Sequence, residues 1–258
     1  MDPAFKQCPK CQHLRTPEES GDAGVCPACG LVFAKWAGRD SFVPPSLRAK
    51  AAAADEAAPL AEITDRLLDA PRAVPAAHIH GRAAIWALLA FWGLRLALLD
   101  YRTDELLESF MHSIVIPFHE AGHVLFMPFG RFMTVLGGSL FQVLMPLIVA
   151  GAFFIQQRDA FGAGLGVWWA GASMVDVSAY IYDAADPQLP LIGGGTGADS
   201  FHDWIYLLDV FHQTRHSPFW GGLAHAIGIL VMVAGLAWSA AVLWRQHRRR
   251  EDVNPLLP

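Results

Sequence analysis

The sequence predicts an all-α polytopic membrane protein of about five to six transmembrane helices, preceded by a small cysteine-rich domain. Three observations carry that expectation. Of the 258 residues, 53% are hydrophobic and 17% charged, and the mean hydropathy is +0.31, values better suited to a small membrane protein than to a soluble enzyme. Beyond residue 81 the chain is a succession of apolar runs, the clean ones long enough to cross a bilayer core. All four cysteines lie before Lys35, in a segment that shares neither property. The net charge of −5 argues against a general nucleic-acid binder, and no nucleic acid is expected as a partner.

Residues 1–38 are read as the first domain. Cys8-Pro9-Lys10-Cys11 and Cys26-Pro27-Ala28-Cys29-Gly30 form two C-x2-C knuckles separated by 14 residues. Four thiolates so grouped make a closed tetrahedral zinc site, structural because no coordination position stays open. The competing reading is two disulfides, which need an oxidising compartment. Met1 to Lys35 has no long apolar run followed by a small-residue cleavage site, so an export signal is not expected and the N-terminus is placed in the cytoplasm. The segment looks like the zinc ribbons that begin many bacterial membrane and regulatory proteins, most closely from Cys26 to Trp36. A domain this short takes much of its folding energy from the metal, and a docking role toward a cytoplasmic protein partner is expected.

Residues 39–80 are read as a linker. Arg39 to Ala58 is rich in Pro and Ala, and from Pro59 to Ala70 Leu60, Ile63, Leu67 and Leu68 recur at helical spacing. That pattern predicts a short amphipathic helix resting on the membrane surface or on the domain that follows. Residues 81–258 then hold five apolar spans: Ala83 to Leu99 with Arg95, Leu106 to Phe129, Thr134 to Gln156, Phe161 to Tyr182 with Asp176, and Phe219 to Trp244 with His225. Trp86, Trp92, Trp220 and Trp244 lie near span ends, as interfacial aromatics do. The basic tail Arg245 to Arg250 favours the cytoplasm, as the cysteines do at the other end, and the two together require an even number of crossings. Either the Arg95 span does not cross, or His202 to His216, polar as it is, supplies a sixth.

The second span carries the chemistry, in His119-Glu120-Ala121-Gly122-His123. On a helix His119 and His123 lie one turn apart on one face, so both imidazoles can hold one zinc, with Glu120 beside it to accept a proton from water. Two histidines and a glutamate at membrane depth are costly unless they face a cavity and act there. A catalytic zinc takes three protein ligands and keeps one position open. The third ligand is ranked Asp183 first, then His202, then Asp176 and Asp203. His112 shares the face of His119 nearly two turns away and is placed on the access path. His212 and His216 are read as solvated, His225 as a packing residue, and Arg95 as snorkelling or paired. Gly193 to Gly197 lacks the Lys-Ser/Thr of a phosphate loop.

Here the chain resembles the site-2 protease family of intramembrane zinc metalloproteases. The resemblance covers about Leu106 to Ala184: HEAGH in an apolar helix, the small-residue segment Gly137-Gly138-Ser139-Leu140-Phe141-Gln142 with Pro146, and an acidic residue closing the fourth span. It implies zinc-dependent peptide hydrolysis and puts Asp183 in the place of the family's ligand aspartate, with Asp176 near the family's asparagine. The chain departs from the family there, with no proline and no Asp-Gly. The expected function is therefore a membrane-embedded zinc peptidase with Glu120 as general base, acting on a membrane protein or peptide substrate in a bacterial inner membrane. The rival expectation is a non-catalytic scaffold whose metal site is structural or inactive and whose ribbon makes the partner contact.

Overall fold

Helices form at each of the five places where the sequence runs apolar. In this computed structural model, which describes residues 7–8, 10–16, 19, 22, 24–33, 35, 64–68, 75–192 and 194–253, the helices are α1 (Ala76–Leu98), α2 (Phe110–Phe126), α3 (Arg131–Ile155), α4 (Ala160–Asp183), the short α5 (Asp203–Asp209) and α6 (Ser217–Val253). Among the described residues β structure is confined to two isolated bridges. Two compact units divide the chain, Met1–Ile63 and Thr64–Pro258. The Pro/Ala stretch at 39–58, residues 59–63 and 69–70 of the expected amphipathic helix, and Trp36 lie outside the described residues.

In the first unit each cysteine pair sits in a tight knuckle, closed by the bridges Gln7↔Leu14 and Val25↔Val32. The two knuckles repeat one backbone pattern. The N–H four residues after the first cysteine returns to its carbonyl, Gln12 to Cys8 and Gly30 to Cys26, each at 2.9 Å. Both of those residues have left-handed backbone, φ 62° at Gln12 and 68° at Gly30. Cys8, Cys26 and Phe33 form the unit's small buried cluster.

In the second unit α1, α3 and the Thr214–Arg249 stretch are long and apolar enough to cross a membrane. Their outward faces are apolar as well: Leu88, Phe91, Leu94 and Leu98 on α1, Ile148 and Ile155 on α3, Leu230 and Val233 on α6 are all exposed. Water tolerates such a continuous belt badly, whereas a hydrocarbon layer covers it. The α2 helix has 17 residues, fewer than the roughly 20 that a bilayer core needs. The His202 to His216 segment holds only a seven-residue helix and a 3-10 turn, far short of a crossing.

Buried almost along its whole length, α4 is the centre of the bundle. It lies antiparallel to α6 along a glycine seam, Gly164 against Gly235 and Gly171 against Gly228. A methyl at Gly171 would stand 2.6 Å from the Gly228 carbonyl oxygen, and one at Gly235 2.6 Å from that of Gly164. Side chains there would drive the backbones apart, so small residues set the interhelical distance. On the other side, α2 and α3 form a hairpin. Gly130, at φ 90°, makes the reversal into α3, which L side chains rarely adopt. The hairpin closes where Gly122 and Gly137 face each other: a Cβ on Gly122 would overlap the Gly137 carbonyl oxygen. At the far end the helical turn at 64–67 docks on α6, where Trp238 Nε1–H donates to the Leu67 carbonyl at 2.6 Å and Arg245 to that of Leu68 at 3.2 Å. Its described part therefore rests on the helical domain.

Candidate metal centres

Four thiols converge in the first unit. Cys8 Sγ lies 3.7 Å from Cys29 Sγ and Cys11 Sγ 3.7 Å from Cys26 Sγ, and one ligand atom from each of the four falls within 4.8 Å of the others. A disulfide needs about 2.05 Å, and all four cysteines are free. The edge of a tetrahedron with metal–sulfur bonds of about 2.3 Å is about 3.8 Å, so the spacing fits one zinc-sized ion. Burial opposes ionisation of Cys8, but the N–H groups of Cys11 and Lys10 and the adjacent thiols draw its pKa down to about 6. Cys11 accepts from the His13 N–H, yet desolvation and the thiols of Cys29, Cys8 and Cys26 push it up to about 12. The cluster thus sheds a first proton readily and resists shedding the rest, until a cation compensates the charge.

The second centre lies on α2, where the ligating atoms of His119, Glu120 and His123 fall within 4.8 Å of one another. The α5 helix brings a fourth group. Asp203 Oδ2 stands 3.0 Å from His119 Nε2 and 3.2 Å from His123 Nε2. The outer nitrogens decide how these atoms are charged. His123 Nδ1 lies 2.8 Å from the Thr134 carbonyl, which only accepts, so that nitrogen carries the hydrogen. His119 Nδ1 lies 3.0 Å from Gln142 Oε1, an acceptor as well. In the neutral tautomer both Nε2 atoms then present lone pairs, and the Asp203 carboxylate presents a third. Three acceptors at this spacing repel unless protons or a cation lie among them. A nitrogen–nitrogen–oxygen set with both outer nitrogens held is the donor chemistry of a zinc site. Gly138 makes room for it, since a Cβ there would fall 2.6 Å from His119 Nε2 and 2.7 Å from His123 Nε2.

Several contacts aim Asp203. His202 caps α5 by accepting the Ile205 N–H on Nδ1 at 3.3 Å, and its Nε2–H faces Asp183 Oδ2 at 3.3 Å. Asp183 Oδ1 accepts the N–H groups of Gln188 at 2.7 Å and Leu189 at 3.1 Å. Tyr180 packs on His202 with ring centres 4.1 Å apart and planes tilted by 33°, and accepts the Asp203 N–H at 3.1 Å. Trp204 Nε1–H donates to Ser139 Oγ at 3.0 Å and ties α5 to α3.

The four ranked ligand candidates therefore separate. Asp203, ranked last with Asp176, is the carboxylate that reaches the histidine pair. Asp183 and His202, ranked above it, bind each other, and Asp183 also takes the Gln188 and Leu189 N–H groups. Asp176 accepts from His112 Nδ1 at 3.0 Å and from Gln142 Nε2 at 2.8 Å. The sequence reading gave no site role to Gln142, Gly138 or Tyr180, although the first two lie in the small-residue segment it singled out; a glutamine amid an apolar span was the available signal. His212 and His216 are exposed, and His225 packs on Tyr101 with ring centres 4.5 Å apart. Arg95 lies exposed on the last turn of α1, lining a surface cavity with Glu105 and Glu108.

A cavity of about 240 Å³ opens beside the pair. His119, Glu120, His123, Tyr180 and Asp203 line its polar side, and Ile116, Val177, Leu191, Ile192 and Phe201 its apolar side. Among the described residues two groups of side chains are able to bind metal ions, one of four sulfurs and one opening on a cavity with a carboxylate, Glu120, in its lining. No family model, no curated protein and no solved structure matches the chain.

Proposed function

We propose that this chain is a membrane-embedded zinc peptidase in which His119, His123 and Asp203 hold the ion and Glu120 is the general base. One observation carries the reading: the Asp203 carboxylate converges on the two Nε2 atoms, at a cavity that Asp203 and Glu120 both line. Zinc bound there supplies a Lewis acid that polarises a carbonyl and acidifies water. Glu120 follows His119 in sequence but not in hydrogen bonding, and its exposed carboxylate is placed to take a proton from water in the cavity and return it to the leaving amine. The apolar wall of Ile116, Val177 and Ile192 favours an apolar substrate segment. The hydrolytic reading shares HEAGH and its apolar helix with the site-2 protease family, and departs from it by taking its third ligand from α5. On this reading α2 and α4 lie within the bilayer beside the three long helices, in a bacterial inner membrane. The four cysteines hold a structural zinc on the cytoplasmic side and offer a docking surface to a protein partner or to the tail of a substrate.

The test separates metal from turnover. Purified protein is expected to carry two zinc ions, His119→Ala to carry one, and Glu120→Gln to keep both while cleaving an apolar test peptide about 100- to 10,000-fold more slowly. If Glu120→Gln cleaves at the wild-type rate, the hydrolytic role is wrong and the scaffold reading replaces it.

A further inference from the structure

Gln142 is fully buried and its amide is used at both ends. Oε1 faces His119 Nδ1 at 3.0 Å, and Nε2 faces Asp176 Oδ2 at 2.8 Å, with the Ser173 carbonyl at 3.4 Å. An amide can be turned end for end, and nothing in Gln142 itself prefers one orientation. Its neighbours prefer one. Asp176 and the Ser173 carbonyl offer acceptors, so the NH₂ end turns to them. The carbonyl end is then left for His119, which must put its hydrogen on Nδ1 and its lone pair on Nε2, the atom facing Asp203. A buried carboxylate two hydrogen bonds away thereby sets which nitrogen of His119 can bind an ion.

We propose that Asp176, acting through Gln142, is the positioning residue of the histidine metal site. It touches neither ion nor substrate; it orients a relay whose polarity presents His119 Nε2 to zinc. The inference rests on the reading that the histidine pair holds zinc. His112 shares the same carboxylate, its Nδ1 3.0 Å from Asp176 Oδ1 and 3.2 Å from the Oδ2 that accepts from Gln142, with its ring on the cavity wall.

The experiment measures zinc affinity of the full-length protein by competition with a graded series of chelators. The histidine-site ion is identified as the one lost in His119→Ala. Asp176→Asn leaves the long 3.4 Å contact to the Ser173 carbonyl as the one fixed acceptor on the NH₂ end, loosens the orientation of the amide, and should weaken that ion about 10- to 100-fold, the usual cost of losing an outer partner of a ligating histidine. Reversing both ends should restore it. In the double variant Asp176→Asn/Gln142→Glu, the new amide on α4 donates its NH₂ to the new carboxylate on α3, and that carboxylate again accepts from His119. The proposal is overturned if Asp176→Asn holds zinc within about threefold of wild type, or if the double variant is no tighter than the single one. Should Asp176→Asn not fold, Gln142→Met, which keeps side-chain length and deletes the acceptor, must show the same loss, and wild-type affinity there also overturns it. Absence of any ion that His119→Ala removes would instead sink the zinc reading itself.

Discussion

A single methyl group at position 138 is enough to test the geometry of the histidine pair. The Cβ of Gly138→Ala would stand 2.6 Å from His119 Nε2 and 2.7 Å from His123 Nε2, where an ion would sit. This variant is expected to lose the histidine-site zinc while helix content by circular dichroism stays unchanged. The ranking of carboxylates is testable in the same way. Asp203→Asn should lose that zinc, whereas Asp183→Asn should retain it and instead raise proteolytic nicking between 184 and 202, because Asp183 holds the Gln188 and Leu189 N–H groups and His202. The two histidines and Glu120 were legible from their spacing alone, since a helix places residues four apart on one face. The carboxylate that reaches the pair was not. Asp183 closes α4 where a ligand was expected, but its reach depends on how the following loop folds, and that loop turns it toward backbone N–H groups. Asp203 reaches the pair only because His202, Tyr180 and Trp204 seat α5, and none of those contacts is local.

At the level of elements, hydropathy located the five long helices within a few residues, except that α1 and α6 run longer than their apolar cores. What periodicity could not supply was the packing order. The seam of Gly164, Gly171, Gly228 and Gly235 makes α4 and α6 approach closely and leaves α4 central. Gly228→Leu is expected to destabilise the bundle by about 1–3 kcal/mol through overpacking, lowering the thermal transition in detergent. Gly151→Leu on α3, where a Cβ meets nothing within 4 Å, should leave the transition unchanged or slightly raised. Equal effects at the two positions would show that the seam does not set the α4–α6 distance.

For the whole molecule, the cysteine and histidine groups belong to separate compact units, so their metals should be lost independently. Cys8→Ser with Cys29→Ser is expected to reduce the zinc count by one and leave the chelator resistance of the histidine site as it was. A fall of both together would mean that the units depend on each other for folding. The cysteine unit was legible because two short knuckles hold all the ligands within 22 residues. The histidine site draws on α2, α3, α4 and α5, and only its α2 part is contiguous in sequence.

The carboxylate that reaches its histidine pair arrives late in synthesis. A nascent chain ending before residue 203 already carries His119, Glu120 and His123 but lacks the group that closes the shell. On the peptidase reading, α1 to α4 are therefore complete before the third ligand is made, and the nascent chain is spared hydrolysis while its loops are still unfolded. Ribosome-stalled chains released before residue 203 should bind zinc at the cysteines alone, and chains extended through α6 should bind a second ion.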